Sequence, residues 1–341
     1  MKRFIGVIVF FIAFCSCVPN TPKDVSARAN FEALWKIIDE RYCFLEEKGV
    51  DWDSVYHAYN AKIQTGKYEN DFRLFSLLDQ MLAELKDGHV NLISTFDVSG
   101  YSAWQGDDTK GLNIYARRPY LVGASVTGGM YYNFLSIKDT DINFAYLVYS
   151  SFSSSLGNMP LVLKLCEKMD AIILDLRGNG GGVASSAEQL VSYFIDKKEL
   201  VGYTSYKTGP GRNQFSGLKP LYISPHEGVR WTKKPLIVLQ DRGCYSACND
   251  FLSKIRVAKN VITIGLPSGG GGGLPSSAEL PNGWKVRYSA VRSFDKDKKS
   301  IEGGIAPMVT QSLPSYYENP STDDLILKKA AELLVKILHK E

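Results

Sequence analysis

Between residues 27 and 85 the apolar side chains recur at three- and four-residue steps, the period of a helix face laid on a core. Phe31, Leu34, Trp35, Ile38 and Tyr42 form one such face. Trp52, Val55, Tyr56 and Tyr59, behind a candidate cap at Asp51, form a second, and Phe72, Phe75, Leu78, Leu82 and Leu85 a third. The spacing predicts an N-terminal helical subdomain over residues 27–88, its aromatic stripes serving as its own core. Residues 89–143 are rich in Gly and Tyr, with short alternating runs at 112–115 and 120–126, and predict a connecting β-rich segment. From residue 144 the pattern changes to solid apolar runs at 144–149, 171–176, 236–240 and 261–265, separated by amphipathic stretches near 161–169, 185–195 and 247–257. Strand and helix in alternation predict an α/β core over residues 144–341. Its mostly parallel sheet would be open at the C-terminal strand ends, where ligands bind. A last helix is predicted over 323–338.

Composition agrees with a folded body: of 341 residues, 45% are apolar and 22% charged, enough to bury a full core, and no 20- to 50-residue period marks a repeat array. Forty basic against 36 acidic side chains give a net charge of +4, without a basic cluster. That lacks the concentrated positive field a nucleic-acid partner requires. Residues 1–17 read as an export signal: Lys2 and Arg3, an apolar run over 4–14, then small or thiol residues. The run is short of the roughly 20 residues a bilayer span needs. Phe14-Cys15-Ser16-Cys17 resembles a bacterial lipobox with Cys17 as the acylated residue, the alternative being an ordinary cleaved signal with two incidental cysteines. The expectation is a lipid anchor at the bacterial cell envelope, facing the periplasm or the surface, with residues 18–26 as tether. Cys43, Cys166, Cys244 and Cys248 are too few for a disulfide framework. Without a CxxC pair, and with four scattered histidines, they predict small buried thiols and no metal site.

Two strand-to-helix junctions carry candidate chemistry. After 171–174 comes Asp175-Leu176-Arg177-Gly178-Asn179-Gly180-Gly181-Gly182, whose main-chain N–H groups could hold an anion at a helix start. It has neither the GK[ST] ending of a phosphate loop nor the spacing of a dinucleotide loop, and by itself is equally a tight turn. After 236–240 comes Asp241-Arg242-Gly243-Cys244-Tyr245-Ser246-Ala247. A serine there is either an exposed nucleophile or a helix N-cap.

With Asp87-Gly88-His89-Val90-Asn91-Leu92 and Ile301-Glu302-Gly303-Gly304-Ile305-Ala306-Pro307, these make four ordered blocks. Together they resemble the C-terminal processing (tail-specific) serine peptidases, in the branch of tricorn and the interphotoreceptor retinoid-binding protein. The resemblance implies a ClpP/crotonase-like core, no metal or organic cofactor, and a peptide or protein substrate. It implies Ser246 as nucleophile, His89 as base, Glu302 as the acid orienting it, and an oxyanion hole from Gly180, Gly181 and Ala247. The family also contains Ser-Lys enzymes. Their lysine position falls in the glycine run 269–273, and neither Lys254 nor Lys285 fits it. Gly88 stands where tricorn has a small hydroxyl residue, Met308 stands where Asp usually closes the last block, and the chain has no room for an inserted PDZ domain. With Glu302 favouring the charged imidazole, His89 is expected to titrate near or above the free value of about 6.5. The competing class is a non-catalytic protein on the same scaffold, binding a peptide or a small apolar ligand; acyl-CoA chemistry on a crotonase-like core is a rarer alternative.

Overall fold

Helical periodicity becomes three capped helices in the computed structural model, which describes residues 24–106, 112–313 and 323–339. The signal, Cys17 and most of the tether lie outside the described residues. Ser26 caps α1 (Ala27–Arg41), Asp51 caps α2 (Trp52–Ile63) and Asn70 caps α3 (Asp71–Ala83), each side chain accepting from a first-turn N–H. Strand β1 (Asn91–Ile93) follows. The alternation at 112–115 does not make a strand. Asn113 accepts from the N–H groups of Tyr115 and Ala116 and starts a helical turn, α4 (Ile114–Arg117), which continues as a 3₁₀ turn through Pro119. A side-chain cap on two main-chain donors outweighs the two-residue pattern over so short a stretch.

Then come β2 (Ser125–Thr127), β3 (Met130–Ser136), β4 (Asn143–Tyr149), α5 (Met159–Cys166), β5 (Ala171–Asp175), α6 (Ala184–Ser192), β6 (Glu199–Tyr206), β7 (Lys219–Ile223), β8 (Leu236–Gln240), α7 (Ala247–Lys254), β9 (Val261–Gly265), β10 (Gly273–Glu279), β11 (Lys285–Phe294), β12 (Val309–Thr310) and α8 (Leu325–His339). One sheet runs β12-β9-β8-β5-β4-β3-β2; its strands from β4 to β12 are parallel, and β3 and β2 extend it antiparallel. Side-chain alternation divides its core in two. Leu147, Leu174 and Val238 face α5, α6 and α7, while Tyr146, Ile173 and Leu239 face Ile326, Leu327 and Leu334 of α8.

The second sheet is antiparallel, β1-β11-β6-β7 with β10 on the other side of β11. It supplies what the helical segment lacks. The core of α1, α2 and α3 contains Phe31, Trp52 and Leu78 but also Leu280, Trp284, Val286 and Tyr288. The core that begins at residue 27 is therefore shared with the β10–β11 hairpin, about 200 residues onward.

A buried charge cluster fastens α8 to the glycine loop. Arg177, fully buried, donates to Asp175 (2.9 and 2.7 Å) and to Asp324 (2.9 and 2.6 Å), and Tyr146 donates to Asp175 at 2.6 Å. Burial alone would raise Asp175, yet Arg177, Arg117 and the Tyr146 hydroxyl outweigh it and hold the carboxyl below its usual range. Removing one partner of such a cluster leaves buried charge uncompensated. Arg177→Met is expected to cost about 3–5 kcal/mol of stability, read as a lowered midpoint of urea unfolding with an unchanged slope.

Candidate active site

Three loops at the C-terminal ends of β5, β8 and β9 are stitched together by main-chain and buried side-chain bonds. Asn179 donates through Nδ2 to Tyr149 O and accepts from Gly181 N–H, while its own carbonyl accepts from Tyr245 N–H at 3.1 Å. Asp241 accepts from Gly178 N–H at 2.9 Å, and burial pushes its carboxyl up to about 6. Ser246 N–H donates to Gly270 O at 2.9 Å. The glycines let these loops touch. A Cβ on Gly270 would lie 2.0 Å from Glu302 O, and one on Gly181 would lie 2.5 Å from Tyr245 O and 2.8 Å from Ala247 N.

Ser246 sits at the N-cap position of α7 with φ 55° and ψ −121°, a strained conformation for a residue with a side chain. It makes no cap hydrogen bond. Its Oγ is instead 2.8 Å from His89 Nε2, joining residues 157 apart in sequence. Of the two readings open to this serine, the helix cap is the one its contacts leave out.

His89 is buried and held by Asp87, whose Oδ1 accepts the His89 N–H at 2.8 Å and whose Oδ2 accepts from Tyr42 and Ser289 hydroxyls, each at 2.9 Å. The ring of Tyr245 packs against the imidazole at 5.0 Å between centroids and stacks on Trp104 at 3.9 Å. Burial pushes His89 down to about 4; Asp87 pulls upward, and Arg287 and Lys48 add to the depression. This reverses the direction expected from the sequence, because a nearby carboxylate cannot repay the loss of water around a charged imidazole.

Glu302 does not take the place anticipated for it. Its Oε1 pairs with Lys48 at 2.8 Å and its Oε2 accepts from Gly272 N–H at 2.8 Å, whereas His89 Nδ1 is buried without a hydrogen-bond partner among the described residues. Burial and Asp87 push Glu302 up to about 7, against Lys48 and the Gly272 N–H. Its loop is fixed from beneath: Asn249 donates to Ile301 O, and Ser268 donates to Asn249 and accepts from Ile305 N–H.

The anion-holding groups divide in a way the sequence does not show. Gly181 spends its N–H on Asn179 Oδ1 and so leaves the expected oxyanion set. The N–H groups of Gly180 and Ala247 have no acceptor among the described residues, and Gly180 borders open space. Ser246, His89, Gly180, Gly181, Gly182, Ser151, Ser153, Tyr245, Trp104 and Arg287 border one cleft of about 460 Å³.

Lys254 is buried and paired with Glu188 and Asp250, both at 2.7 Å. Burial works against its charge, but the two carboxylates outweigh it and raise its pKa, which disables it as a base. Lys285 is exposed at the start of β11. The four cysteines are buried free thiols, with Cys244 Sγ donating to Leu176 O. Among the described residues no group of three or more His, Cys, Asp or Glu is arranged to hold a metal, and no helix is long and apolar enough to cross a membrane. Asp87, Lys48, Tyr42 and Arg287 escape sequence reading. Asp87 alone carried a signal, two residues before His89 in the first block.

Several known proteins are similar to this chain. A family model described as peptidase family S41 matches residues 143–310, and one described as tricorn protease C1 domain matches residues 24–83. The crystal structure of a putative peptidase from Parabacteroides merdae is 41% identical, superposes with a TM-score of 0.83, and is matched over 91% of this chain and 97% of that one. The structure of mature CPAF complexed with lactacystin has the same fold, with a TM-score of 0.72 over 92% of this chain and 99% of that one at 11% identity. The carboxy-terminal processing protease CtpA of Bacillus subtilis is 29% identical over 187 residues, 54% of this chain. That match spans only 38% of CtpA's own length.

Proposed function

Because the chain belongs to peptidase family S41, we propose that it is a serine endopeptidase of the C-terminal processing type, with Ser246 as nucleophile and His89 as general base. The observation that carries the reading is the 2.8 Å bond from His89 Nε2 to the Oγ of a strained, uncapped serine. Ser246 Oγ attacks a peptide carbonyl carbon as its proton passes to Nε2. The oxyanion so formed is held by the N–H groups of Ala247 and Gly180. Collapse breaks the C–N bond, and Nε2 returns the proton to the leaving amine. Water, deprotonated by the same nitrogen, then hydrolyses the acyl ester. Nε2 accepts only when the ring proton sits on Nδ1, and depression of the His89 pKa keeps the ring neutral and ready at ordinary pH. Glu302 completes the set as a charge held in place by Lys48 and Gly272, acting on the imidazolium through the cluster it shares with Asp87. A location at the bacterial envelope on a lipid carried by Cys17 is part of the proposal, supported by the export-signal pattern of residues 1–17.

A fluorophosphonate probe tests the assignment. Stoichiometric labelling of the folded protein at Ser246, abolished in Ser246→Ala and strongly slowed in His89→Ala, is the expected result. A folded protein that takes no label would leave the non-catalytic binding protein as the better reading.

A further inference from the structure

Among the described residues, buried Arg177 pairs with Asp175 and Asp324, buried Lys254 with Glu188 and Asp250, and half-buried Lys48 with Glu302. Arg287 is different. It is half-buried on β11, opposite Asn91 of β1, and it lines the cleft that holds Ser246 and His89. Both of its hydrogen bonds run through Nη1, to Asn91 Oδ1 at 3.0 Å and to His89 O at 3.4 Å. No carboxylate lies within ion-pair distance of it among the described residues, and no Asp or Glu lines that cleft. A guanidinium has five donors in a fixed fork suited to two carboxylate oxygens, so the Nε and Nη2 edge is left for a ligand.

Resting on the peptidase reading, we propose that Arg287 is a specificity residue that takes a substrate carboxylate, either an Asp or Glu side chain or the peptide's own terminal carboxylate. Its place fixes the side. His89 returns a proton to the leaving amine, so the departing part of the peptide runs past His89, and Arg287 touches the His89 main chain. Two extended residues span about 7 Å, the scale of the distance between a scissile bond at Ser246 and an arginine bonded to the His89 main chain. The favoured carboxylate therefore lies within about two residues after the scissile bond.

The test digests a proteome-derived peptide library with purified protein and maps the new termini by mass spectrometry. Wild type is expected to favour cuts followed within two residues by Asp, Glu or a free C-terminus. Peptides with amidated C-termini separate the sources: amidation abolishes the preference if the terminus is read and leaves it if a side chain is. A charge-assisted bond predicts a preference of about 10- to 100-fold in kcat/KM over the neutral counterpart. Arg287→Met should erase that preference while neutral sites are still cut, and Arg287→Lys should retain part of it. A merely structural role for Arg287 would lower all cleavage together and leave the ranking of sites unchanged. If Arg287→Met does not fold, the wild-type library still decides, because cuts without any acidic preference overturn the proposal and leave the peptidase standing. A wild type that cuts no peptide and takes no fluorophosphonate overturns both.

Discussion

Ser246→Ala and His89→Ala are each expected to lower peptidase turnover about 10³-fold or more, and the double variant to lose little beyond either single one. The reason is that the two side chains form one device: the oxygen is a poor nucleophile until the nitrogen 2.8 Å away takes its proton. Additive losses would mean that the two act separately, and would count against the assignment. The rival, a displaced lysine base, makes the opposite forecast. Lys254→Ala should leave catalysis by the folded fraction largely intact, since that ammonium is neutralised by Glu188 and Asp250. The pH profile separates His89 from Glu302. Both must be deprotonated, so kcat/KM should rise with pH. With His89 at about 4 and Glu302 at about 7, the wild-type limb near neutrality belongs to Glu302. Glu302→Gln should lower the plateau and remove that limb, leaving activity nearly flat between pH 5 and 8. A limb that stays near 7 in the variant would assign it to the histidine.

The second large effect is expected from one methyl group. Gly181→Ala should reduce kcat by about 10²-fold or more without a comparable rise in KM. Its φ of +96° disfavours any side chain, and the added carbon would meet Tyr245 O, Ala247 N and Ser246 Cβ, none of which is a flexible chain end. Relief requires pushing the β5 loop off the serine turn, which moves the Gly180 donor away from the Ala247 donor. Gly217→Ala, where the new carbon meets open space, is the control and should behave as wild type. If Gly181→Ala kept full turnover, the two loops would not need their present contact.

The parallel half of the fold was legible because each of its strands is a solid apolar run and each of its helices a separate stripe; the four predicted strands lie within a residue of β4, β5, β8 and β9. The closure of the helical unit was not legible. Leu280, Trp284 and Val286 join Phe31 and Leu78 across roughly 200 residues, and no local pattern encodes such a partnership. The site divided similarly. Ser246 and His89 belonged to recognisable blocks, and the structure brings their reactive atoms together. What their neighbours do depends on who is nearby: Lys48 holds Glu302, Asn179 consumes the Gly181 N–H, and burial lowers His89. Arg177 looked like one more polar residue of a glycine loop until Asp324, 147 positions later, accounted for its burial.

That pairing also bears on timing. Asp324 comes after every strand of both sheets in chain order, so the guanidinium beneath the glycine loop has its second carboxylate only when the last helix docks. Until then Arg177 lacks the two bonds to Asp324 that tie the base of the glycine loop to the last helix. A chain that ends before Asp324 would hold Ser246 and His89 without that tie. On the proposed peptidase reading, the last segment to be made is thus also the one that completes the support beneath the Gly180 donor.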